Sequence, residues 1–344
     1  MKSKIAILLA LCLLIVGFPV FAGGGGESSS SQQPQAAQPI DIRCGGGTVG
    51  GVFYVMAAAV STIVNKYVPT VNFTAQTTSG GAESYNRLIK QGLESYIGNC
   101  DIVYIGAHGG DPTKPTFVAS KNVRTWFCTE ASPFLLVARA DNDKMTKFED
   151  IWKPGLKVGT QPKGSTTHTM LLTITDYMGQ DSSKMNIYTG GHDQSTNALR
   201  DGNTDMIYAG SGSLSAPNSA YQELASGIKV RMFDYPESLR DRIVKDMPYW
   251  GKFTLEPDWL KGYDKPCNVV AVLNSFFLEE SVPEEVVYQM TKAVFDNLEE
   301  LKQIAYAPFK YVTPQTAAAN AVVPIHPGAL RYYKEKGFNI SSFD

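Results

Sequence analysis

The 344 residues are 43 % hydrophobic and 19 % charged, with a formal net charge of −2. A chain so nearly neutral, without basic blocks or zinc-finger spacing, lacks the electrostatic footprint of a nucleic-acid binder. The five cysteines include no CxxC pair, which argues against a metal scaffold or a redox motif.

The chain opens with Lys2 and Lys4, twelve consecutive apolar residues from Ile5 to Val16, and Val20-Phe21-Ala22. This is the layout of a secretory signal peptide cleaved after Ala22, giving residues 1–22 as the signal and placing the mature protein in the periplasm. Gly17 and Pro19 interrupt the run, which falls short of the roughly 20 residues that a spanning helix needs. Cys12 follows Leu11 where a lipidated cysteine would want a small residue. Residues 23–39, rich in Gly, Ser and Gln, cannot repay the entropy of ordering and read as a flexible leader.

From Ile40 the elements alternate. Ile40 to Cys44 reads as a strand running into the glycine turn Gly45 to Gly51, then a helix from Val52 to Tyr67 stopped by Pro69. Val71 to Thr77 reads as a strand, turning at Ser79-Gly80-Gly81 into a helix from Ala82 to Gln91. Asp101 to Ile105 is expected as a third strand, and Phe134 to Ala138 as a further one. A second set starts at Leu156: a strand edge at 157–160, a turn at Gln161 to Ser165, and a helix from Thr166 to Met178. Strands at Met185 to Tyr188 and Asp205 to Tyr208 follow, the second opening into Gly210-Ser211-Gly212-Ser213. Strand, glycine turn and helix in repetition predict an α/β fold whose two lobes are each a largely parallel sheet flanked by helices.

Gly98 to Tyr104 and Asp201 to Tyr208 read as echoes of one another, polar residues leading into an apolar strand. Tyr235 to Lys265 is expected to wrap the surface, and Cys267 to Leu273 to return toward the first lobe. Pro283 starts a helix, with Glu284 and Glu285 in its first turn. Cys100 and Cys128 would close a loop worth about 3 kcal/mol if bridged; four separate buried thiols are the other reading of Cys44, Cys100, Cys128 and Cys267.

Three turns carry the chemistry: 46–51, 77–81, and Lys163-Gly164-Ser165-Thr166-Thr167. Free amides at a helix start, helped by Ser or Thr hydroxyls, bind carboxylates or phosphates, and ligands of open α/β sheets lie at the carboxyl ends of strands. Phosphate-loop spacing is absent, because Lys163 precedes its glycine. The chain has four histidines, and neither HExxH nor GxSxG occurs. The reading is therefore of a binding protein and not an enzyme, with no cofactor and no metal. His326, between two prolines, is expected to fix a turn.

These segments resemble the TAXI family of extracytoplasmic solute receptors that serve TRAP-type transporters. The resemblance runs from Ile42 to Gly337 and is strongest at 46–54, 76–84, 158–165 and Pro324 to Glu335. It implies a type II-like two-lobed periplasmic-binding-protein fold, with residues 40–133 and 268–344 in one lobe and 134–267 in the other. It also implies a glutamate- or 2-oxoglutarate-like carboxylate ligand, TRAP membrane subunits as partner, and a monomer. By matching position the pocket draws on Thr48, Phe53, Tyr54, Thr78, Ser79, Gly80, Gly164, Ser165, Thr166, Gly210 and Ser211. Phe53 and Val52 replace hydroxyl-bearing residues common in that family, and the stretch before the third strand is longer. A ligand-sensing module for a signalling receptor would share the same architecture.

Overall fold

The computed structural model describes residues 38–344 except 50, 111–117, 164, 320, 339 and 341–344. The signal peptide and nearly all of the leader lie outside the described residues.

The chain runs β1 (Ile40–Gly45), α1 (Val52–Tyr67), β2 (Val71–Gln76), α2 (Gly81–Ile89), β3 (Ser95–Asn99), α3 (Cys100–Ala107) and β4 (Val123–Cys128), then β5 (Ser132–Arg139) and β6 (Lys157–Thr160). It continues through α4 (Thr166–Tyr177), β7 (Asn186–Thr189), α5 (His192–Arg200), β8 (Met206–Gly210), α6 (Ser219–Gly227), β9 (Val230–Phe233), α7 (Glu237–Asp246), β10 (Trp250–Leu255), β11 (Cys267–Val272) and β12 (Asn274–Glu279). The last part is helical: α8 (Glu284–Asp296), α9 (Leu298–Ile304), α10 (Tyr306–Phe309), α11 (Pro314–Ala319) and α12 (Pro327–Glu335).

Two sheets result. The first has the order β2-β1-β3-β12-β4, and the second β10-β11-β5-β8-β6-β7 with β9 beside β5. In each, three strands of the strand-turn-helix type are parallel, β2-β1-β3 and β7-β6-β8. The remaining pairings are antiparallel, so both sheets are mixed. The expected α/β fold in two lobes is present, each sheet carrying helices on its faces, but the sheets are mixed where largely parallel ones were expected, because β12, β5 and β11 beside the crossings run against their neighbours.

Helix α1 shows why these segments fold as they do. Met56, Val60, Ile63 and Val64 recur at helical spacing and are buried, together with Ala57 and Ala59. They pack with Phe73, Trp126, Phe127, Phe276 and Phe295 into the first core, and each large side chain contributes about 1.5–3 kcal/mol by leaving water. A second core spans the sheets, joining Tyr85, Tyr96 and Val103 to Leu136, Met170, Tyr208 and Trp250.

The chain passes between sheets twice, from β4 to β5 through residues 129–131 and from β11 to β12 at Leu273. The two passages are bonded together. Thr129 donates its amide to the Asn274 carbonyl at 2.9 Å. The Asn274 side chain, 1 % exposed, donates to the carbonyls of Glu130 at 2.6 Å and Gly212 at 3.2 Å and accepts from Asn99 at 2.7 Å.

Three sequence expectations are corrected. The run Asp101 to Ile105 is helix, not strand, because β3 already ends at Asn99 and the extended Asn99 turns the chain directly into α3. The echo between 98–104 and 201–208 therefore pairs a segment that is mostly helix with one that ends in strand. Tyr235 to Lys265 is not a surface wrap, since it forms α7 and then β10, which pairs antiparallel with β11 along its whole length. β11 itself is bonded to β5 and β10 of the second sheet. All four cysteines are buried and none is bridged.

Candidate functional site

The turns that the sequence singles out meet in a ring. Gly47 donates its amide to the Thr78 hydroxyl at 3.1 Å, and Thr78 donates its amide to the Gly47 carbonyl at 2.9 Å, locking the first two turns together. Gly81, at the start of α2, packs on Ile102 of α3. One residue before Ile102, Asp101 Oδ2 accepts a hydrogen bond from Thr166 Oγ1 at 3.0 Å, which joins the start of α3 to the start of α4. Thr167 lies so close to Gly210 that a Cβ there would come within 2.6 Å of its hydroxyl oxygen. A Cβ on Gly212 would lie 2.7 Å from the Cβ of Val52, the first residue of α1, and this contact closes the ring.

The donors differ in how far they are already used. Thr48 is exposed, and Phe53 and Tyr54 are half-buried on the first turn of α1. The Thr78 hydroxyl, 6 % exposed, also lies 2.8 Å from Ser84 Oγ. Ser79 is exposed and its amide donates to the Glu83 carboxylate at 2.7 Å; this bond holds Glu83 below the usual carboxylate range. Helix α2 thus carries an anion of its own beside Gly80. Ser165 caps α4, its hydroxyl accepting from the His168 amide at 3.1 Å. Ser211 Oγ accepts from the Asn218 amide at 3.0 Å, and the Gly210 carbonyl accepts from the Tyr221 hydroxyl at 3.2 Å. Gly164 lies outside the described residues.

The structure adds groups that the sequence reading did not assign. In the second sheet's half, the Gln161 amide nitrogen donates to His192 Nδ1 at 2.9 Å, and His192 Nδ1 also lies 2.8 Å from the Tyr221 hydroxyl. This network ties the ends of β6 and β8 to the start of α5. Burial lowers the His192 pKa and pushes the Tyr221 hydroxyl up, so both stay neutral. His192 is half-buried and held in place by these bonds; its position directly after Gly190-Gly191 was the available signal. Trp126, near the passage between sheets, is core: it is fully buried and donates to Thr291 at 2.9 Å. His326 does fix a turn, capping α12 by accepting the Gly328 amide at 3.3 Å.

A cavity of about 640 Å³ lies elsewhere, lined by Phe148, β9 and Gly262 to Lys265, with no residue from the ring. Among the described residues no group of three His, Cys, Asp or Glu side chains could hold a metal ion. No helix among them is long and apolar enough to cross a membrane.

Two mixed sheets joined by paired crossings, with glycine turns from both meeting between them, make up a two-lobed fold like that of periplasmic binding proteins. Residues 44–337 match the NMT1-like family, and the chain belongs to it. Among solved structures it is similar to malate-bound MatC of Rhodopseudomonas palustris, with a TM-score of 0.51 and 15 % identity over 87 % of this chain and 97 % of that one. It is also similar to a periplasmic transporter protein, with a TM-score of 0.53 and 12 % identity over 88 % and 93 % of the two chains. At these identities the likeness concerns the fold.

Proposed function

We propose that the protein is an extracytoplasmic solute receptor. It binds a small organic anion of the glutamate and 2-oxoglutarate kind in the cleft between its lobes and delivers it to the membrane subunits of a TRAP-type transporter. The observation that carries this reading is the ring of turns, in which helix starts from both halves of the chain come together around one place. Residues 40–133 with 268–344 and residues 134–267 are the proposed lobes. Cleavage after Ala22 would release a monomeric receptor into the periplasm. The malate bound by MatC supports a carboxylate as ligand.

The proposed pocket takes the ligand's carboxylate on the amides and hydroxyls of 164–166 and 78–80, with Thr48 and Gly210-Ser211 completing the lining and Phe53 and Tyr54 covering the remainder. Binding stabilises the closed form, which is the form the transporter reads.

A thermal-shift screen of the mature protein against mono- and dicarboxylates, amino acids and sugars tests the site. Ligand at one hundred times its dissociation constant adds about 2.7 kcal/mol of stability, a visible rise in Tm. A shift with a sugar or a cation and none with any acid overturns the reading. For delivery, ion-gradient uptake into proteoliposomes holding the TRAP subunits should require the receptor and no ATP.

A further inference from the structure

A buried carboxylate that the proposed pocket does not use sits at the crossings. Glu130, 9 % exposed, lies in the passage from β4 to β5, and its backbone carbonyl accepts from Asn274 of the other passage at 2.6 Å. Its side chain joins two further segments. From the turn after β8, Oε2 accepts from the Ser213 hydroxyl at 2.8 Å, the Ser215 amide at 3.0 Å and the Ser215 hydroxyl at 2.7 Å. From the C-terminal helices, Oε1 accepts from the Tyr311 amide at 3.3 Å.

The two segments belong to different sheets. The turn is tied to the second sheet, because the Leu214 carbonyl accepts from the Trp259 indole at 2.7 Å and Trp259 packs with Leu135, Ile207 and Ala209. Tyr311 is tied to the first, because Phe309 and Val312 on either side of it are buried in the first core. A carboxylate taken out of water is costly unless its lone pairs are filled. Here hydroxyls and backbone amides fill them, and all are present together only while the turn and Tyr311 both sit at the crossing. Rotation of one sheet against the other removes donors from the charge. The same turn carries Gly210 and Ser211 of the proposed pocket and Gly212, whose contact with Val52 closes the ring.

We propose that Glu130 is a positioning residue, a latch at the crossings that keeps the ring assembled before a ligand arrives. It acts on the ligand through the 210–215 turn and does not touch it. This rests on the receptor reading above and adds a determinant of affinity outside the pocket lining.

Glu130→Gln tests the latch, because one acceptor oxygen replaces two and at least one of the Ser215 and Tyr311 amides loses its partner. Small-angle X-ray scattering of the ligand-free mature protein should give a larger radius of gyration for this variant than for wild type. Titration with L-glutamate, 2-oxoglutarate and malate should show about a tenfold loss of affinity for each acid that wild type binds, since apparent affinity scales with the assembled fraction. Glu130→Asp keeps both acceptors and should recover part of the loss. Ser215→Ala added to Glu130→Gln should cost little more, because the two residues act as one unit. Val294→Ala, a void in the first core, should lower Tm with affinity unchanged, which separates positioning from a general loss of stability. Ser215→Ala alone leaves the carboxylate in place and should show both changes at smaller size, which decides the matter if circular dichroism finds Glu130→Gln unfolded. An unchanged radius of gyration, or an unchanged affinity, in the folded variant overturns the latch and leaves the anion reading standing. If wild type binds none of the acids and Glu130→Gln still expands the ligand-free protein, the latch stands and the anion reading falls.

Discussion

Gly212 and Val52 meet because one of them has no side chain. The Cβ that alanine would add at Gly212 lies 2.7 Å from Val52 Cβ and 3.1 Å from Val52 Cγ1, closer than carbons pack, so one of the two segments must move. Overpacking of this kind costs about 1–3 kcal/mol, and under the proposed function the bound form relies on this contact between the start of α1 and the 210–213 turn. Gly212→Ala is expected to weaken ligand binding about tenfold. Val52→Gly in the same chain should restore most of the loss, as titration of the single and double variants would show. Ser165 is a different case, because it caps α4 through the His168 amide. Ser165→Ala should cost about 1 kcal/mol of stability in the ligand-free protein, with Ser165→Asp retaining the cap. Denaturant melts measure this without any ligand, which separates the capping role from any contact with the bound acid.

The elements that carry their own punctuation were legible in the sequence. α1 stops before Pro69, α4 begins after a Gly-Ser pair, and β2 is a short β-branched and aromatic run; each lies within two residues of its expected bounds. Helix α3 was not legible, because five residues from Asp101 to Ile105 are too few for periodicity to distinguish a helix from a strand. The turns of the ring stood out by composition. Asp101 and His192 did not, since their roles come from partners 65 and 29 residues away. Strand order was also beyond reach, and it settles the cysteine question left open above. β12 lies between β3 and β4, with Ser275 opposite both Gly98 and Cys128. Cys100 continues the β3 ladder by donating its amide to the Leu273 carbonyl at 2.8 Å. Two strand spacings separate Cys100 and Cys128 by about 10 Å, whereas a disulfide needs Cα atoms within about 7 Å. Mature protein should therefore show no bridge between them. Burial also pushes the Cys44 and Cys267 thiols to about 12, so alkylation should label none of the four in native buffer and all four in denaturant, as read by intact mass.

Across the molecule, three histidines tie both halves to the same pH range. His168 and His192 lie in the first turns of α4 and α5, and His326 caps α12 against the other sheet. Burial is the first cause of a lowered pKa at each. At His192 and His326 the hydrogen bonds supply the mechanism: Nδ1 accepts from Gln161 in one and from Gly328 in the other, and a protonated nitrogen cannot accept. In the unfolded chain these imidazoles take up protons near about 6.5, whereas in the fold they do so only at lower pH. Between those values the unfolded state holds more protons, so stability rises with pH. The stabilisation is fully present above the unfolded value and is lost as pH falls toward the folded ones. Asp150, whose carboxylate burial would raise but whose bonds to Thr146, Lys153 and Lys147 hold at about 2, loses its contribution only in much stronger acid. The Tm should therefore be level from pH 8 to 7.5 and fall from pH 7 to 5, and His326→Gln should flatten part of that slope. A Tm that stays constant from pH 8 to 5 would mean that the imidazoles take up protons in the fold as readily as in the open chain, and that neither helix depends on a neutral ring.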